Sequence, residues 1–159
     1  MINTGPLLAI AAACEDFTLL DRLYRKVHVP HEVAEEIRAK GESGFAARPF
    51  TEATWLEKAA PLAAISPFLR GSLDLGEAAV VQYALDRRIR TVCIDETVGR
   101  RVARLSGLSV TGSLGILLRA QREGHSIVLR QAIERMQVRG IHLSARLVAA
   151  VLARAGEAG

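Results

Sequence analysis

The chain has 159 residues, 50% of them hydrophobic and 24% charged, which excludes a disordered segment and suffices for a buried core. Its two cysteines, Cys14 and Cys93, exclude a disulfide framework and are expected to be free core thiols in a reducing compartment. The net charge of +4 is only mildly suited to a polyanionic partner; its make-up, 18 Arg against three Lys, matches phosphate geometry and equally fits a general preference for arginine.

Residues 1–3 read as the end of a short first strand. Pro6 then favours a helix start, with Leu7, Leu8, Ile10 and Ala11 supplying the apolar face. The apolar run 5–14 has the length of an export-signal core, but no Lys or Arg precedes it, and no run is long enough to span a bilayer. The expected location is cytoplasmic, with no membrane contact. A second helix is expected over 16–24. Val27, His28 and Val29 form a β-type run closed by Pro30, and residues 31–40 alternate as a helix does, stopping at Gly41.

Residues 41–72 are the least regular, punctuated by Gly41, Gly44, Pro49, Pro61 and Pro67, with Trp55 and Leu56 as an anchor. A strong helix over 74–88 should turn Ala78, Val81 and Leu85 inward. Thr91, Val92, Cys93 and Ile94 form a buried strand ending in Asp95. Val98, Val102 and Leu105 give the inner face of the next helix, and Leu108, Ser109 and Val110 a last short strand. Helices over about 113–123, 129–139 and 144–155 close the chain. No linker divides it, so 1–159 is expected to be a single domain: an α/β fold of three layers, α/β/α, around a short, mostly parallel sheet, with extra C-terminal helices.

In such sheets ligands collect at the carboxyl ends of the strands. Asn3 and Asp95 each stand at one, Glu77 opens a helix, and Glu36 lies in the second half of the helix after Pro30. Brought together, these four would make a pocket of carboxylate and amide oxygens, the donors that Mg²⁺ or Mn²⁺ prefers. With such an ion the pocket could activate water and stabilise displacement at a phosphodiester. Without one, the carboxylates would repel and one would tend to take up a proton.

These residues stand in stretches that resemble the PIN-like nuclease superfamily. Met1-Ile-Asn-Thr-Gly-Pro-Leu-Leu is similar to a PIN-domain opening, in which an acid ends the first strand and a Ser or Thr follows. Val29-Pro-His-Glu-Val-Ala-Glu-Glu-Ile37 resembles the segment carrying the second acid, Glu36. Leu73-Asp-Leu-Gly-Glu-Ala78 resembles the L-x-x-G-E-A signature of one subgroup, with Glu77 third. Ile94-Asp-Glu, followed by Gly99, Arg100, Arg101 and Ala103, places Asp95 fourth, and Glu96 stands where a second Asp is frequent. Val110-Thr-Gly-Ser-Leu-Gly115 is similar to the last strand-to-helix turn.

The resemblance covers nearly the whole chain and rests on the ordered set, not on any one motif. It implies a ribonuclease using Mg²⁺ or Mn²⁺ on Asn3, Glu36, Glu77, Asp95 and Glu96, related to VapBC-type toxins. That in turn implies a small antitoxin partner and a homodimer. The departure is Asn3, where most PIN nucleases carry an acid: an amide oxygen can ligate a metal but brings no charge.

Each residue also has a plainer reading. Glu36 suits a solvated helix face, Glu77 the positive end of its helix, and Asp95 an N-cap for the helix after it. Thr4 either caps the first helix or holds a water on the metal; Thr111 and Ser113 carry the same two readings, with Ser113 mainly a cap. Arg100, Arg101 and Arg104 grip RNA phosphates, pair with the pocket's acids or face solvent. His28, His31, His125 and His142 make no zinc pattern, and the glycines form neither a P-loop nor a dinucleotide fingerprint. Leu147, Val148, Val151 and Leu152 form an apolar stripe, read as core or as a partner groove. A phosphoacceptor domain would need an acidic pair at strand one and a late Lys, and no Lys follows Lys58.

Overall fold

The computed structural model describes residues 1–39 and 44–157. Two parallel strand pairs form its middle. His28–Val29 (β1) pairs with Glu57–Lys58 (β2), and Thr91–Cys93 (β3) pairs with Ser109–Thr111 (β4). Residues 1–3 run between the pairs. The Ile2 amide donates to the His28 carbonyl at 3.1 Å, and the Asn3 amide donates to the Cys93 carbonyl at 3.0 Å. Spatial order is therefore β2, β1, residues 1–3, β3, β4. Val29, Val92 and Ile94 are wholly buried, as parallel strands covered on both faces must be.

Two groups of helices enclose this layer. Thr4–Cys14 (α1) leaves residues 1–3 and lies on Leu129–Val138 (α9), with Ser113–Arg122 (α8) and Ala145–Ala155 (α10) beside them. His31–Ala39 (α3), Pro67–Ser72 (α5), Leu75–Asp86 (α6) and Thr97–Leu105 (α7) form the other group, with α6 along β3 and α7 along β4. Thr18–Leu23 (α2) and Ala47–Glu52 (α4) complete the set. The fold is the three-layer α/β/α architecture expected from the sequence.

Several local expectations need correction. The 41–72 stretch holds α4, β2 and α5; a two-residue edge strand and two six-residue helices are too short to show a period. The second helix starts only at Thr18, because Asp16 accepts a 3.0 Å bond from the Thr18 amide and holds the preceding turn. Leu85 points outward while Ala84 is buried. On α7 the inner face is Gly99, Val102 and Ala103, leaving Val98 and Leu105 59% and 76% exposed: the helix approaches too closely for large side chains. The expected stop at Gly41 lies outside the described residues. Of the C-terminal stripe, Val151 and Leu152 are core, Val148 is half-buried and Leu147 is exposed. Both cysteines are free; Cys93 is buried and Cys14 half-buried. No helix among the described residues is long and apolar enough to cross a membrane.

Candidate functional site

Three turns at the carboxyl ends of the strands carry the polar residues. The first is the entry to α1. Asn3 is its N-cap residue, but the Asn3 side chain makes no capping bond; its amide oxygen Oδ1 is buried with no hydrogen-bond partner among the described residues. Thr4 is the first helical residue, and its hydroxyl donates to Glu36 Oε2 on α3. Capping is thus not the work of Thr4, whose bond instead ties α1 to α3.

The second turn leads into α6. Asp74 caps it, accepting from the Glu77 amide at 2.8 Å. Gly76 then presents bare backbone to two side chains: a Cβ there would stand 2.9 Å from Glu36 Oε1 and 3.2 Å from Asn3 Oδ1. A side chain at this position would push those two oxygens back from the helix start. Glu77 turns the other way, toward α7, where its Oε1 lies against Gly99, so that any Cβ at 99 would collide with it. That oxygen is also buried and without a hydrogen-bond partner among the described residues. Burial raises the Glu77 carboxyl to about 7, and the Asp74, Glu96 and Glu36 carboxylates push in the same direction against the backbone bond at Asp74. Glu77 is therefore more than a complement to its helix dipole.

The third turn is the exit of β3. Asp95 does not cap α7; the N-cap there is Glu96, which makes no side-chain cap bond. Asp95 Oδ1 instead accepts from the Ser113 amide at 2.8 Å, reaching the start of α8. Ser113 is accordingly a buried first residue of α8 rather than its cap, which is Gly112. Arg100 is half-buried, and its Nη1 donates to the Ile94 carbonyl at 2.8 Å, whereas Arg101 and Arg104 are exposed.

The expected set is thus brought together in part. Asn3, Thr4 and Glu36 converge over Gly76, and Glu77 stands next to them within the influence of Glu36 and Glu96. Asp95 and Glu96 are exposed at the neighbouring turn, with Asp95 directed to α8. Among the described residues no three His, Cys, Asp or Glu side chains stand close enough to hold an ion between them. The donors nevertheless fit a hard divalent cation in kind, all being oxygens, two of them buried and unpaired.

Asp74, Gly76, Gly99 and Gly112 stand in the quoted motifs, but their part in holding the site was not read from the sequence. Asp74 was findable, since an Asp three residues before Glu77 is a helix-start signature. The glycines were not, because their part depends on which side chains reach them from elsewhere.

A family model described as PIN domain matches residues 1–157. No curated protein and no solved structure matches the chain.

Proposed function

This chain belongs to the PIN-domain family, and from that premise we propose that it is a metal-dependent ribonuclease that hydrolyses RNA phosphodiesters at the acidic turns. PIN domains are in general nucleases, and they generally use divalent metals. One observation carries the reading for this chain: Asn3 Oδ1 and Glu77 Oε1 are buried without partners, beside a carboxylate and under a burden of like charge. Unpaired buried oxygens are costly, and a cation is the partner that would satisfy them.

Asn3, Glu36 and Glu77 would hold Mg²⁺ or Mn²⁺, with Asp95 and Glu96 contributing from the next turn. The ion would supply Lewis acidity and neutralise charge developing on the phosphate. Thr4 would keep Glu36 aimed through its hydroxyl bond. Exposed Arg101 and Arg104 would contact backbone phosphates beside the turn, which positions RNA without reading its sequence. The whole chain would act as one unit.

The test is cleavage of single-stranded RNA by purified protein with Mn²⁺ or Mg²⁺. Glu77→Ala and Asp95→Ala should abolish it; cleavage at the parental rate in both would show that the site lies elsewhere.

Within this reading the chain would be the toxin of a toxin–antitoxin pair, a homodimer held inactive by a small antitoxin. Leu75 and Val98 support a partner there, being exposed apolar residues next to Gly76 and Gly99. An antitoxin-like reading frame beside the gene and co-purification of its product would bear on it.

Asn3 favours a second reading: a catalytically weak PIN-like module that binds RNA or a protein. The amide contributes no charge, so cation affinity should fall. Absence of Mn²⁺ binding by calorimetry, with cleavage restored in Asn3→Asp, would select this reading.

A further inference from the structure

The hydrogen-bond ladder between β3 and β4 ends in an exchange of partners. The Ser109 amide donates to the Arg90 carbonyl at 2.8 Å, and the Ile94 amide donates to the Thr111 carbonyl at 3.1 Å. The same parallel register carried one step further would give the Ser113 amide to the Ile94 carbonyl. It does not go there. The Ser113 amide goes to Asp95 Oδ1, and the Ile94 carbonyl receives Nη1 of Arg100, both at 2.8 Å.

We propose that Arg100 is a positioning residue: by satisfying the Ile94 carbonyl it releases the Ser113 amide to hold the Asp95 carboxylate in place. Buried carbonyls and amides must be paired, so the two bonds are linked. Remove the guanidinium, and the Ser113 amide is drawn back to the carbonyl, freeing Asp95. Gly112 makes the exchange possible. A Cβ on it would lie 2.7 Å from Asp95 Oδ1 and 2.8 Å from Arg100 Nη1, so a side chain there would displace both groups. Its backbone, at φ −137° and ψ 175°, is extended and open to any residue, so Gly112→Ala acts through the methyl group alone. Arg100 is thereby separated from Arg101 and Arg104, which are exposed and suited to phosphates.

The inference rests on the nuclease reading for its consequence, but its geometry can be measured without metal or RNA. In ¹⁵N-labelled metal-free protein the Ser113 amide resonance reports its acceptor. Arg100→Leu should move it, and Arg100→Lys, which retains a donor, should leave it nearer the parent. Mn²⁺ affinity should fall roughly 10–100-fold in Arg100→Leu, as for other residues that orient a ligand, with partial rescue in Arg100→Lys. The KM for RNA and its salt dependence should stay parental.

A parental Ser113 resonance in Arg100→Leu overturns the proposal. So does a raised KM with a shallower salt dependence and unchanged Mn²⁺ affinity, the signature of a phosphate grip. Should Arg100→Leu fail to fold, Arg100→Met decides the same question, since it too removes the donor to the Ile94 carbonyl. If the parent protein binds no Mn²⁺ and cuts no RNA, the nuclease reading fails, while the Ser113 resonance still decides what Arg100 holds.

Discussion

Thr4 and Glu36, thirty-two positions apart, are joined by a hydrogen bond from the threonine hydroxyl to the glutamate carboxylate. The bond links the first turn of α1 to the third acid-bearing residue of α3 and holds Glu36 over Gly76 beside Asn3. Thr4→Val keeps the shape and removes the donor. It should cost about 1.5–3 kcal/mol in urea denaturation, the range for a hydrogen bond to a charged group. Mn²⁺ affinity should fall with it. Unchanged stability and affinity would mean that Glu36 holds its place by packing alone.

Asn3→Asp adds a negative charge beside Glu36 and next to Glu77. In metal-free protein that charge has no partner, so the melting temperature should drop. With Mn²⁺ the order should reverse, the variant gaining more than the parent because stabilisation by a ligand rises with the logarithm of its concentration over Kd. Melting curves with and without Mn²⁺ are the measurement, and equal metal-induced shifts in both proteins would sink the claim.

Glu77 should give the metal-free protein an unusual pH profile. Its carboxyl is raised from 4.5 to about 7 by burial and by neighbouring carboxylates. The folded chain therefore binds this proton more tightly than the unfolded chain. Below the ordinary value the group exacts no penalty; between 4.5 and about 7 stability falls as pH rises; above that the loss is complete. Denaturation across this range should show the decline, Glu77→Gln should flatten it, and Mn²⁺ should lessen it. An equal slope in Glu77→Gln would assign the effect to another group.

At the far end of the chain, Glu157 spans the start of α9. Its carboxylate accepts from the Leu129 and Arg130 amides, both at 2.8 Å, and from Gln121 at 2.7 Å, while Val128, the N-cap residue, has no side-chain cap. The backbone bond from Arg130 leads in holding this carboxyl below its ordinary value. Its stabilisation is present above the ordinary carboxylate value and is lost as pH falls through the depressed one. Because the group is only half-buried, Glu157→Ala should cost about 1 kcal/mol near neutrality, as for loss of an N-cap. The difference from the parent should shrink in acid, and a constant difference would deny the carboxylate its role.

The parallel layer was legible in the sequence because Val92 and Ile94 form an apolar run bounded by a polar exit, and α6 because Asp74 marks its start. Strand β2 was not, since Glu57 and Lys58 sit at the sheet edge and need no apolar pattern. The face of α7 was misjudged for a related reason. Hydrophobicity pointed to Val98 and Leu105, but the close approach of Ile94 and Glu77 selects size, which favours Gly99 and Ala103. At the site, Asn3, Asp95 and Glu77 could be picked out as polar residues at strand exits and a helix start, and Glu36 by its place in the ordered set of resembling stretches. That Asp95 reaches α8, and that Arg100 turns to Ile94, could not, because both depend on where β4 ends relative to β3.

Residues 1–3 are the seam of the sheet, bonded to β1 through Ile2 and to β3 through Asn3. The residue proposed to offer its amide oxygen to a ligand thus lies in the join between the two strand pairs. Whatever Asn3 binds should tighten that join, so occupancy of the pocket ought to be felt as slower amide exchange along β1 and β3, well beyond any atom the ligand touches.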